Sequence, residues 1–246
     1  MALHRGPAAP FIPGGEERKP IMSYLFEMHY HTPQTSYCGH IPPAEALPKY
    51  KEAGYAGAVV TDHFYKEWFD DKGEIPWEEK IERWLTGYRA AQEAARTLED
   101  FTVILGMELR FTDNLNDHLV YGIDEALLKE NPELYLMTPA EFRRFADAHG
   151  LFFAQAHPFR SVCTPRDPAV LHGVEIYNGN GRHNSHNHKA EAFAEENGLI
   201  ALSGSDFHEW EDLCMGGTYL RERPADSKSL ARLLFAGGVE GFARGE

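Results

Sequence analysis

Cysteine, positive charge and long apolar runs are all scarce in this chain of 246 residues. Cys38, Cys163 and Cys214 are the three cysteines, they show no CxxC spacing, and so small a number suits a reducing compartment. The 24 basic residues stand against 38 acidic ones, for a formal net charge of −14. That balance argues against a protein that tracks the phosphate backbone of a long nucleic acid. No apolar run approaches the roughly 20 residues needed to cross a bilayer, so no membrane partner is expected. The opening segment MALHRGPAAPFIPGGEERKP has no apolar core of the kind a secretory signal carries, and a cytoplasmic location is expected. Repeats, low-complexity blocks, a GxSxG elbow, a P-loop and a GxGxxG opening a helix are all missing.

What remains is ordinary globular material, 43% hydrophobic and 25% charged, of a length that one α/β barrel can reach. Residues 1–22 read as a Pro-, Gly- and charge-rich tail that the fold does not need, and 23–246 as one domain. Seven segments read as strands: 24–31, 56–63, 101–111, 117–123, 151–158, 173–178 and 199–206. Several are nearly continuous apolar runs, as strands buried on both faces are. Helical patterns lie between most of them. One, over 43–54, is interrupted by Pro48; a long one covers 77–100; 138–150 opens on a Thr138 cap and stops at Gly150; others cover 186–198 and 226–238. Only TDNLND separates the third strand from the fourth, too little for a helical crossover, so that pair is expected to be antiparallel or distorted. The expected class is α/β, an irregular barrel rather than an open sheet.

Polar residues of one kind gather at the strand ends. His29 and His31 close the first, Asp62 and His63 the second, Glu108 lies near the end of the third, His157 closes the fifth, and Asp206 and His208 the seventh. His118 opens the reversed fourth strand and His40 follows the first. The C-terminal rim of such a barrel is where sites are built. Seven histidines, one Glu and one Asp exceed the needs of one tetrahedral ion and suffice for two or three, with Glu108 bridging. Nitrogen and oxygen donors suit Zn, Mn or Fe. Clustered ions of this type generate a bridging hydroxide and stabilise both attacking and leaving oxygens in phosphate-ester hydrolysis. They would also make an anion-attracting pocket in an acidic protein.

The ordered set EMHYHT, CGH, TDHF, GMEL, DHLVYG, AHPFR and GSDFH, spread over about residues 23–220, resembles the polymerase-and-histidinol-phosphatase (PHP) family of metal-dependent phosphoesterases. The resemblance implies a distorted (β/α)7 barrel with a trinuclear centre. One ion would take His29, His31, Glu108 and Asp206, a second Glu108, His118 and His157, and a third His40, His63 and His208, with Glu108, Asp206 and His208 doubling as catalytic groups. The chain departs from the family in opening its first motif with Glu27 instead of Asp and in setting His40 farther from His31. The loop TPQTSYCGH is similar to that of the histidinol-phosphatase branch. The implied activity is hydrolysis of a small phosphate monoester; a nucleotide phosphatase, an exonuclease-like phosphodiesterase and a non-catalytic metal-binding module are the alternatives.

Among the remaining residues, Arg160, just past AHPF, and Arg182, after the sixth strand, are candidates to hold a substrate phosphate, since a guanidinium fork matches it. Arg110 reads as a salt-bridge partner. Asp62 either caps a turn or orients a ligand histidine. Cys38 reads as a small buried residue rather than a ligand, and His183, His186 and His188 as structural or solvated.

Overall fold

The computed structural model describes residues 23–245. The proposed tail, 1–22, lies outside them. The first strand, β1 (Tyr24–Tyr30), is buried along almost its whole length and pairs in parallel with β2 (Gly57–Val60). The helix between them, α1 (Pro43–Glu52), runs through Pro48 without breaking, although Pro48 has no N–H to offer one turn back. After β2 come the two-residue β3 (His63–Phe64) and α2 (Lys66–Asp70).

The long helix expected over 77–100 is two helices. α3 (Trp77–Trp84) and α4 (Thr86–Ala95) meet at Leu85. The Thr35 hydroxyl bridges the break, donating to the Trp84 carbonyl (2.8 Å) and accepting from Gly87 N–H (3.1 Å). Gly87 is required here, because a Cβ would fall 2.0 Å from Thr32 Oγ1 and 2.4 Å from Asp62 Oδ2. The start of α4 is therefore seated directly on the loop that carries the site, and any side chain at Gly87 would push it away.

The third expected strand is likewise split, into β4 (Thr102–Leu105) and β5 (Met107–Arg110). β6 (Asp117–Tyr121) returns antiparallel to β5, as its short loop requires, and leads to α5 (Glu125–Glu130). α6 (Pro139–His149) begins with a Thr138–Glu141 capping box and ends at Gly150 in the left-handed conformation. Then follow β7 (Phe152–Gln155), β8 (Gly173–Asn178), α7 (Asn187–Asn197) and β9 (Ile200–Gly204). β10 (Gly216–Leu220), α8 (Ser227–Phe235) and β11 (Val239–Arg244) close the described chain. The two late strands are short and glycine-bearing, which is why no strand pattern marks them in the sequence.

The strands form two sheets, in the orders β11-β10-β1-β2-β4 and β3-β5-β6-β7-β8-β9. The α/β class is the expected one, while the pairing is that of two sheets rather than one closed ring. The chain passes between them at 60–63 and 105–107, and a parallel bridge Tyr30–Phe207 ties the end of β1, in the middle of the first sheet, to the segment after β9, at the edge of the second. The largest apolar cluster, built around Phe64, Trp84, Phe142 and Phe153, supports the second sheet from the helical side. Fully burying side chains of this size is worth about 1.5–3 kcal/mol each. That packing fixes the strand ends on which the polar residues stand.

Candidate metal centre

Four groups of ligand-type side chains lie at one end of the sheets, with the donor atoms of each group within 4.8 Å of one another. They are His29–His31–Asp206, His29–Glu108–His157, His31–His63–His208 and His63–Glu108–Asp117. His29 and His31 share a face because they are two apart on β1. Asp206 and His208 follow β9, His157 follows β7, and Glu108 lies on β5. His157 and Asp206 have φ of +29° and +53°. Such backbone costs about 1–3 kcal/mol for a non-glycine residue and recurs where a site dictates the chain path.

Hydrogen bonds settle which nitrogens face inward. His29 Nδ1 lies 3.0 Å from the buried Glu175 carboxylate, to which it donates, so in the neutral ring Nε2 is the lone-pair nitrogen. For His31 the logic runs through Ser36. The Ser36 hydroxyl gives its proton to Asp62 (2.7 Å), so it can only accept from His31 Nδ1 (3.1 Å). His31 Nε2 is then also a bare lone pair. These two atoms point at carboxylate oxygens: His29 Nε2 is 3.2 Å from Glu108 and 3.4 Å from Asp206, and His31 Nε2 is 3.4 Å from each. Both nitrogens, His63 Nδ1 and Glu108 Oε2 are buried without a hydrogen-bond partner. Acceptor facing acceptor in a dry site is unfavourable unless a positive charge, a proton on the imidazole or a metal ion, stands between them, and His31 is the ring whose surroundings oppose the proton. The donor set therefore fits divalent metal ions.

The electrostatics agree. Burial alone would raise the Glu108 and Asp206 carboxyls, but the imidazoles around them, His29 foremost in both cases, hold both well below their usual range. Burial likewise opposes a charge on His29, yet Asp206, Glu175 and Glu108 pull its pKa well above normal. A field that favours a proton at His29 favours a metal cation beside it. His31, by contrast, is held well below its usual value by burial and by His208 and His63.

Asp62 joins none of the four groups. It accepts from Thr32 N–H (2.8 Å), the Thr32 hydroxyl (2.7 Å) and Ser36, and burial raises it to about 6. It fixes the loop that orients His31. Glu175 does the same for His29 and His157, accepting from His157 N–H (2.9 Å) and from Asn178 (2.9 Å). Sequence reasoning missed Glu175; the available signal was a lone carboxylate inside the apolar run GVEIYN. Glu27, buried beneath the centre, accepts from His29 N–H and Ser205 N–H, each at 2.9 Å, and from the Tyr50 hydroxyl.

Two expected ligands stand elsewhere. In the β5–β6 register, Leu109 faces His118 and Arg110 faces Asp117, while Glu108 faces Leu119. Directly opposed residues share a face. His118 is thus on the face away from Glu108, between Phe111 and Phe153, with Nδ1 on the Leu109 carbonyl and Nε2 accepting from Arg166. Burial and the Arg166 charge lower its pKa to about 3. Asp117 takes the inward position, clamped by Arg110 at 2.7 and 2.8 Å, and Arg110 is a salt-bridge partner. His40 is exposed at the mouth, with Nδ1 2.5 Å from Glu209, and joins none of the four groups.

Cys38 is at the mouth as well and is exposed, not buried. Its sulfur lies 3.2 Å from His63 Nε2 and 3.1 Å from His208 Nε2. Partial burial pushes the thiol up, but the two imidazoles outweigh this and leave it at about 6. The two candidate phosphate-binding arginines are each engaged with a carboxylate: Arg160 with Asp206 (2.6 Å), and Arg182 with Asp212 (2.8 Å). Arg160, Arg182, His40 and His183 ring a cavity of about 340 Å³ whose floor is Glu108, His157, Asp206 and His208.

No family model and no curated protein matches the sequence. Solved structures do. A two-domain protein from Bacteroides vulgatus containing a predicted PHP-like metal-dependent phosphoesterase superposes over 92% of this chain and 68% of its own, with a TM-score of 0.62 and 16% identity. The chain has a PHP-like fold. PsfC from Pseudomonas syringae is similar in structure to the chain at a TM-score of 0.61 and 16% identity, over 90% of both chains. So is an Endonuclease Q solved with a 27-mer duplex carrying an abasic lesion, at a TM-score of 0.58 and 14% identity. The match covers 90% of this chain but 58% of the endonuclease. Among the described residues no helix is long and apolar enough to cross a membrane.

Proposed function

We propose that the chain is a metal-dependent phosphoesterase acting on a small phosphate monoester, of the histidinol-phosphatase type or related to it. The observation that carries this reading is the pair of buried, unpartnered Nε2 atoms of His29 and His31 within 3.4 Å of the carboxylates of Glu108 and Asp206. Two to three ions, Zn, Mn or Fe, would be held by His29, His31, His63, Glu108, His157, Asp206 and His208. Bound there, such ions activate water as the nucleophile and neutralise charge on the phosphoryl oxygens.

The chain's own residues supply the rest. Arg160 and Arg182 edge the cavity and present guanidinium N–H groups to a phosphate seated over the floor. Glu175, Ser36 and Asp62 hold the ligand imidazoles in the tautomer and orientation that leave Nε2 free. His40, its Nδ1 backed by Glu209, stands where it can hand a proton from Nε2 to a departing alcohol. A cavity of about 340 Å³ suits a small substrate, and the net charge of −14 disfavours a long polyanion.

A nuclease or phosphodiesterase reading has one observation of its own, the shared fold with Endonuclease Q. A screen over sugar phosphates, histidinol phosphate, nucleotides, bis-p-nitrophenyl phosphate and abasic duplex, run with Mn, Zn and Fe, tests both. Monoester hydrolysis that disappears in Glu108→Gln supports the first reading. Cleavage of the diester or duplex alone moves the function to the second, and no hydrolysis of any substrate by metal-loaded protein removes both.

A further inference from the structure

We propose that Cys38 supplies a thiolate ligand to an ion held by His63 and His208 at the outer end of the centre. The inference rests on the metal-centre reading above and assigns a residue that reading does not use. Its basis is a count of protons. His208 Nδ1 lies 2.7 Å from the Asp206 carbonyl oxygen, which can only accept, so Nδ1 carries the hydrogen and Nε2 is bare toward the sulfur. His63 touches the same sulfur through Nε2 and Glu108 Oε2 through Nδ1, at 2.7 Å. If His63 holds its hydrogen on Nδ1, two bare imidazole nitrogens compete for the one S–H of Cys38. If it holds the hydrogen on Nε2, its Nδ1 lone pair faces a carboxylate oxygen. Either neutral tautomer leaves one acceptor against another, so the arrangement calls for a positive charge there, an extra proton on His63 or a metal ion.

A cation between sulfur and the two rings satisfies every group at once. The S–H proton leaves to solvent, and the sulfur and both nitrogens donate lone pairs. A second observation points to the same place. His31, fully buried, has an unpartnered Nε2 and belongs to one group with His63 and His208. The sulfur stands where the sequence placed His40, which the structure turns out toward Glu209. A thiolate makes this position softer than its all-nitrogen-and-oxygen neighbours, so it would select zinc over manganese.

The test uses the full-length protein stripped of metal and reloaded with Co(II) or zinc. The proposal requires a sulfur-to-cobalt charge-transfer band in the near ultraviolet, lost in Cys38→Ser while the weaker cobalt bands of the other positions persist. Zinc binding at the outer position should weaken at least about tenfold in that variant. Without any variant, iodoacetamide should label Cys38 in the stripped protein and be blocked there by zinc, with labelling of Cys214 unchanged, as read by peptide mapping. Cobalt binding with no such band, or a band that survives in Cys38→Ser, overturns the role of Cys38 and leaves the centre standing. No cobalt binding at all overturns both.

Discussion

Glu175 Oε1 lies 3.0 Å from His29 Nδ1, and both side chains are fully buried. One carboxylate on β8 thereby determines which nitrogen of a β1 imidazole faces the centre. Its other oxygen holds the backbone N–H of His157, so two ligand residues depend on it.

Glu175→Gln should therefore weaken metal binding by about 10- to 100-fold, the usual cost of losing a partner that orients a ligand. An amide has one acceptor oxygen for three donors, and its NH₂ must face one of them. Competition against a chromophoric chelator measures this. Unchanged affinity would reduce Glu175 to a folding residue.

Arg160→Ala should lower kcat/KM by about ten- to hundredfold, since a charge-assisted pair to a phosphate is worth roughly 1.5–3 kcal/mol. From sequence alone metal content should stay unchanged. The 2.6 Å contact with Asp206 alters that expectation, because Arg160 also steadies a ligand. Metal affinity should fall too, and Arg160→Lys should recover part of both losses. Wild-type kcat/KM in Arg160→Ala would remove it from substrate binding.

His118→Gln should leave metal content intact and lower stability by about 1–3 kcal/mol, the cost of stranding buried partners. The resemblance makes His118 a ligand; the strand register makes it a core residue. A pH signature separates them further. His118 titrates near 3 when folded and near its ordinary 6.5 when unfolded. Below 6.5 the unfolded chain binds a proton that the folded one refuses, so this stability is lost as pH falls from about 6.5 toward 3. The slope is about 1.4 kcal/mol per pH unit. Denaturant midpoints across that range should show a shallower acid decline in the variant. Loss of an ion in His118→Gln would restore the ligand role.

His40→Gln should cost about 10²–10⁴ in kcat on alkyl phosphates, which need a protonated leaving group, and little on p-nitrophenyl phosphate, which does not. Metal content should not change. An equal loss on both substrates, with an ion missing, would make His40 a ligand instead.

These residues show what a sequence can and cannot carry here. His29–His31 and Asp206–His208 are legible because a spacing of two at a strand end is a local property. Glu108 and His157 are legible from their place at the ends of apolar runs. His118 is not, because whether it or Asp117 faces Glu108 depends on the β5–β6 register, which a six-residue loop leaves open. Cys38 and His40 differ by two positions in a loop of no fixed period, so only the folded path of that loop decides which of them meets His63 and His208. The break at Leu85 was hidden for a related reason. The local sequence favours one long helix, and a hydroxyl from Thr35, some fifty positions away in the chain, stabilises two.

The central claim is a multinuclear metal centre built on Glu108 and Asp206. Elemental analysis of protein stripped with chelator, reloaded and freed of excess ion tests it most directly. The account predicts two to three ions per wild-type chain, and fewer in Glu108→Gln because a neutral amide cannot balance the charge of shared cations. One ion or none in the reloaded wild type would contradict it.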